Sequence, residues 1–163
     1  MRIARKGFTL VEILIVVVIL GILAAIVVPQ FTSASQSAVK GALQTQLKTI
    51  ESQIELYRVN ESGALPHNDA TSALGQAADA DGNGSWGVMV SDEYMKDEPF
   101  NGFVKTSIVE TGDDVTVDDA MIADAAWVDT DPGWLYDTTS GRCFAYGFDP
   151  NEVKLANEAG YNP

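Results

Sequence analysis

Hydrophobic and polar positions divide this chain into three stretches of different rhythm. From Ile13 to Val28, sixteen residues follow one another without a polar side chain, and Phe8 to Val28 is broken only by Thr9 and Glu12. A bilayer core about 30 Å thick needs ~20 apolar residues of helix, so the stretch is long enough to span one. From Pro29 to about Asn60 the apolar positions shrink to one face. Val39, Leu43, Leu47, Ile50, Ile54 and Tyr57 recur at steps of three and four, opposite Lys40, Gln44, Lys48, Ser52, Glu55 and Arg58. This spacing predicts an amphipathic helix whose stripe packs on a globular head. Ser62-Gly63 and Pro66 end it. Gly21 and Pro29 are the candidate breaks in the long helix, because proline lacks an amide donor and crowds the preceding turn.

Beyond Gly63 the rhythm shortens. Trp86–Val90 and Phe103–Val109 alternate enough to predict strands, and Val115–Val117 a third, shorter one. Trp134–Tyr136 and Cys143–Tyr146 read as a hairpin joined through Asp137–Gly141. Asp118–Ala126, with acids at its front, predicts a short helix. The fold class is therefore α+β, a long N-terminal helix packed on a small antiparallel sheet. Trp86, Trp127 and Trp134 are expected to fill its core.

Charge narrows the function. The formal net charge is −13, and residues 64–163 carry nineteen acids against Lys96, Lys105, Arg142 and Lys154. Such a head is a poor binder of nucleic acid, whose affinity rests on phosphate neutralisation by Lys and Arg. Cys143 is the only cysteine, so no intrachain disulfide forms, and a buried thiol is the simplest reading. His67 is the only histidine and lies beside Pro66 in a predicted exposed turn. Asp113-Asp114 and Asp118-Asp119 read as solvated loop charges. No phosphate-cradling loop, nucleophile elbow or catalytic relay is present, and the chain is not read as an enzyme.

Arg2, Arg5 and Lys6 precede the apolar stretch and no basic residue interrupts it, which predicts a cytoplasmic N-terminus and an extracytoplasmic head. Glu12 is the exception in the span. An acid at the centre of a membrane helix costs on the order of 2.5–3.5 kcal/mol on insertion scales. Glu12 is only about 6 Å along the helix from Phe8, so interfacial water could also meet it. A secretory signal peptide, with Ser33-Ala34-Ser35 as its cleavage site, is a second reading. Its apolar core would exceed the usual length of about 7–15 residues.

Lys6-Gly7, Phe8, Glu12 at the fifth position after Gly7 and Pro29 at the twenty-second resemble the N-terminus of the type IV pilin superfamily. The resemblance implies cleavage between Gly7 and Phe8 by prepilin peptidase, methylation of the Phe8 amine, and pairing of Glu12 with the N-terminal ammonium of a neighbouring subunit. It divides the chain into a cleaved leader (1–7), a transmembrane and filament-core helix (8–28), its amphipathic extension (29–62) and an extracytoplasmic head (63–163). Removing Arg2, Arg5 and Lys6 takes the side-chain charge from −13 to −16. Gly21 and Pro29 would let the helix loosen on packing into a filament, and a mild kink in an intact helix is an equal reading of the same residues.

Leu56-Tyr57-Arg58 with Gly63 and Pro66, and Tyr94–Phe103 with Pro99, Phe100 and Gly102, resemble the major pseudopilins of type II secretion systems. The absence of a disulfide also resembles them rather than familiar type IV pilins. Asp79, Asp81 and Asn83, followed by Gly84, resemble the first half of a calcium loop, although Val90 stands where the bidentate glutamate belongs. Calcium is the one cofactor considered, with Asp129, Asp131 and Asp149 as other donors. The expected partners are identical subunits in a helical filament, prepilin peptidase, the inner membrane before assembly, and a secretion or pilus assembly platform. The alternatives are a type IV pilus pilin for adhesion or motility, and a membrane-tethered binding module that does not polymerise.

Overall fold

A computed structural model of the chain describes residues 7–69, 73–75, 85–121 and 132–158. It divides into two compact units, Met1–Ala38 and Val39–Pro163. The helix α1, Leu10–Asn60, contributes to both.

In the first unit α1 runs through Gly21 and Pro29 without a break. The single chain thus keeps an intact helix through both residues. Proline forfeits one backbone hydrogen bond of a helix, and the turns on either side keep theirs. Beyond Pro29, the hydroxyls of Thr32, Ser33 and Ser37 donate to the carbonyls of Val28, Pro29 and Ser33 at 2.9–3.1 Å. No residue from Gly7 to Ala38 is buried within the chain.

In the second unit the predicted stripe is the buried face. Leu43, Leu47, Ile50, Ile54 and Tyr57 join the head's core, with Val39 packed at its edge. Burying each aliphatic side chain stabilises by about 1.5–3 kcal/mol, which outweighs the exposed Glu55–Arg58 pair. Arg58 in the last turn of α1 complements the carbonyl end of the helix. The Gly63 amide then caps Arg58 at 2.7 Å, with Gly63 at φ +95°. Only glycine takes that conformation without steric cost.

The head's main sheet comprises β1 (Val109–Gly112), β2 (Trp134–Asp137) and β3 (Cys143–Ala145), in that order. The β2–β3 hairpin is antiparallel, pairing Trp134 with Ala145 and Tyr136 with Cys143, as the alternation predicts. The pairing of β1 with β2 is parallel, so the sheet is mixed. A small sheet of β4 (Phe148–Asp149) and β5 (Lys154–Leu155) follows.

Three predicted strands are not formed as predicted. Trp86 to Met89 are buried in succession, so burial there lacks the two-residue alternation of a strand. Val88–Ser91 instead forms a helical turn, α2. Residues 103–106 form a turn closed by the bridge between Asn101 and Thr106, and the chain becomes strand only at Val109. Val117 begins a second short helix, α3 (Val117–Ala120), capped by Thr116, instead of ending a strand. Met121 follows as the cap of α3, and residues 122–126 of the predicted helix, with Trp127, lie outside the described residues.

Asn101 explains the misread turn. Its buried amide donates to the carbonyls of Gly133 (2.7 Å) and Tyr146 (3.0 Å). Its oxygen accepts from the amides of Phe103 (2.9 Å) and Val104 (3.3 Å). One side chain thus joins the turn to both ends of the hairpin. Gly133 permits the approach, since a Cβ there would stand 2.5 Å from the Thr106 carbonyl oxygen. Trp86 and Trp134 meet edge to face at 6.2 Å in the core, as their expected role requires.

Candidate processing and assembly site

The residues around the candidate cleavage bond are open. Gly7, Phe8 and Thr9 precede the helix without regular structure, and Phe8 is 83% exposed. A side chain at Gly7 would meet no atom within 4 Å. The Gly7–Phe8 bond therefore lies in an exposed stretch without regular structure.

Glu12 has a local partner that the reading of the span passed over. The Thr9 amide and hydroxyl donate to Glu12 Oε2 at 2.8 and 2.9 Å, and the Glu12 amide donates to Thr9 Oγ1 at 3.2 Å. This is a reciprocal capping box, in which the side chains at the N-cap and third helical positions satisfy each other's free amides. The Thr9-Leu10-Val11-Glu12 spacing is its sequence signal. The carboxylate also lies in the first turn, where the helix dipole favours negative charge. Its cost in an apolar span is thereby reduced before any second subunit is considered. From Leu10 onward α1 is long and apolar enough to cross a membrane.

Asp79, Asp81, Asn83, Asp129 and Asp131 lie outside the described residues. Asp149 is described and buried, and its Oδ1 accepts from the amides of Asn151 (2.7 Å) and Glu152 (3.3 Å), so it closes a turn. Among the described residues, no group of three or more His, Cys, Asp or Glu side chains could hold a metal.

Other candidate groups are structural. His67 is half-buried with its ring 5.7 Å from that of Tyr136, not in an exposed turn. Burial lowers its pKa, against the pull of Asp113 and Asp137. Cys143 is buried, and burial pushes its thiol up, which removes it from disulfide exchange. Two of the paired acids also do more than meet solvent. Asp119 completes a capping box with Thr116, whose hydroxyl and amide hold its carboxyl below the usual range. Asp113 accepts from the Thr138 hydroxyl.

Comparison with known proteins agrees with this N-terminus. The prokaryotic N-terminal methylation motif matches residues 2–28. The type II secretion system core protein G of Dickeya chrysanthemi is 40% identical over 58 residues, covering 36% of this chain and 38% of that protein. Its Pseudomonas aeruginosa counterpart is 45% identical over 56 residues, covering 34% and 39%. The ComG operon protein 3 homolog of Bacillus licheniformis is 34% identical over 63 residues, covering 39% and 65%. The chain thus spans about two-fifths of the length of the first two relatives. No solved structure matches significantly.

The methylation motif and these relatives support a pilin-like chain of the type IV pilin superfamily, and the exposed Gly7–Phe8 bond, the capped Glu12 and the unburied apolar helix accord with it. Within that superfamily its likeness is to the pseudopilins of type II secretion.

Proposed function

We propose that this chain is the major pseudopilin of a type II secretion system, a structural subunit whose filament drives protein export. It enters the inner membrane with its N-terminus in the cytoplasm. Prepilin peptidase cuts after Gly7, and the new Phe8 amine is methylated. The mature subunit then leaves the bilayer through an assembly platform and joins identical subunits, with their apolar helices inside and their acidic heads outside.

The observation that carries this reading is the pairing of an exposed Gly7–Phe8 bond with a fixed carboxylate one turn further on. Cleavage creates an ammonium at Phe8. Glu12 is the acid placed to receive such a group from a neighbouring chain, and the neutralised pair is cheaper to hold among apolar helices than either charge alone. The likeness to the ComG operon protein 3 homolog favours a second reading, a pilin-like filament outside type II secretion.

The test is intact mass and N-terminal sequence of the protein purified from its native membrane. A start at Phe8 carrying one added methyl group supports the proposal. A start near Ala34–Gln36 would reveal a signal peptide and remove the filament. Retention of Met1–Gly7 would favour a tethered module that does not polymerise.

A further inference from the structure

The C-terminal part of the head is tied to α1 by a contact that the filament reading does not use. Lys40 Nζ lies 2.7 Å from Glu158 Oε1, with each side chain 20% exposed. The pair joins positions 118 residues apart. Partial burial makes it worth more than most surface ion pairs, while the exposed fifth of each side chain leaves it open to salt.

The carboxylate is also held in place by the strand it fastens. The Leu155 amide donates to Glu158 Oε2 at 3.2 Å, and the Glu158 amide donates to the Leu155 carbonyl at 2.9 Å. Little side-chain freedom is left for Lys40 to remove, so more of the Coulomb attraction survives as stability.

The segment has little hold of its own. Phe148 pairs with Leu155 and Asp149 with Lys154, which completes the β4–β5 sheet. A lone two-stranded sheet is marginal in water. Its turn places Val153 at φ +54°, a costly conformation for a β-branched residue. Buried Phe148 and Leu155 anchor the strands, and the Ala156 amide bonds the Gly147 carbonyl at 3.0 Å. Past Leu155, the described chain reaches α1 through Glu158.

We propose that Lys40 and Glu158 form an electrostatic strap, which holds the β4–β5 segment to α1 and which acid or salt loosens ahead of the rest of the head. Among the described residues, Lys40 faces Glu158 from α1 and Lys154 faces it from β5. Lys154 is itself paired with Glu152 at 2.7 Å and feels Asp149. The hydrogen bond from Lys40 holds the Glu158 carboxyl below its ordinary range. The strap is therefore complete above that range and fades as pH falls through it. The strap is independent of whether the chain polymerises.

The test is hydrogen exchange at the Leu155, Ala156 and Glu158 amides of the full chain in detergent micelles, expressed as protection relative to the intrinsic rate. Glu158→Gln keeps one acceptor oxygen for the Leu155 amide, and it replaces the charged oxygen that meets Lys40 with an NH2 group. Protection of these three amides should fall about fivefold, with the Trp134 and Asp137 amides unchanged. Lys40→Met should reproduce the loss, and the double variant should add nothing to it. Wild-type protein in high salt should behave as the variants do. Unchanged protection in Glu158→Gln would overturn the strap. An equal loss at Trp134 and Asp137 would overturn it too, by showing a general weakening of the head.

Discussion

Between Leu10 and Val28, α1 is apolar on every side except at Glu12, and none of those residues is buried within the chain. Between Val39 and Tyr57 the same helix is apolar on one stripe, and that stripe is buried in the head. The second stretch is explained by its own chain. The first is not, because about 0.8 kcal/mol for each CH2 left in water is a cost no soluble helix carries over so many residues. Lipid and, in the proposed filament, other copies of the helix both accept such an all-round apolar surface. One acid survives there because Thr9 caps it, and in the proposed filament it gains a second partner.

The contrast can be broken by paired truncations. Ile50→Ala should destabilise the head by roughly 2–5 kcal/mol, since it opens a cavity in the core. Val17→Ala, with the same chemistry on the unburied stretch, should leave the thermal midpoint of the head unchanged while weakening assembly. A lowered midpoint for Val17→Ala would show that this stretch packs within the chain after all. Asn101→Ala should cost the head about 3 kcal/mol or more in denaturant unfolding, because two carbonyls and two amides lose their partner together.

A smaller effect is expected at the cap of α3. Thr116→Val keeps the shape and removes the acceptor for the Asp119 amide, which should cost about 1 kcal/mol. Acid should produce the mildest change. The Asp137 carboxyl is raised by burial but more strongly lowered by its bonds from Ser140 and Thr139, so its net pKa lies below the ordinary value. Such a group stabilises the fold above the ordinary carboxylate range, and the contribution fades as pH falls through its folded pKa. Asp137→Asn should lower the neutral plateau and leave the acid end nearly unchanged, which flattens the acid side of the stability profile. A variant that keeps the wild-type slope would remove Asp137 from that account.

The long elements were legible in the sequence because their periods repeat. Six apolar positions from Val39 to Tyr57 fix one face of a helix, and the Trp134–Tyr136 and Cys143–Tyr146 alternation fixes a hairpin whose partners are close in sequence. What was not legible depends on distant contacts. The turn at 103–106 is made by Asn101 reaching Gly133 and Tyr146, and no local pattern announces those bonds. The parallel partner of β1 lies across more than twenty residues, and β4 and β5 are two residues each, too short for any period to show. At the candidate site, Gly7, Phe8 and Glu12 stood out by type and position. The capping role of Thr9 was written in the Thr-x-x-Glu spacing, but the unusual acid drew the reading away from its ordinary local partner.

The most direct test of the central claim compares wild-type chain with Glu12→Ala in cells that carry the assembly machinery. Surface-sheared filaments are separated from membranes, and the mass of the membrane-bound subunit is measured alongside. The account predicts that wild type appears in the filament fraction, while Glu12→Ala remains in the membrane although cut after Gly7 and methylated at Phe8. Filaments formed equally by both chains would contradict it.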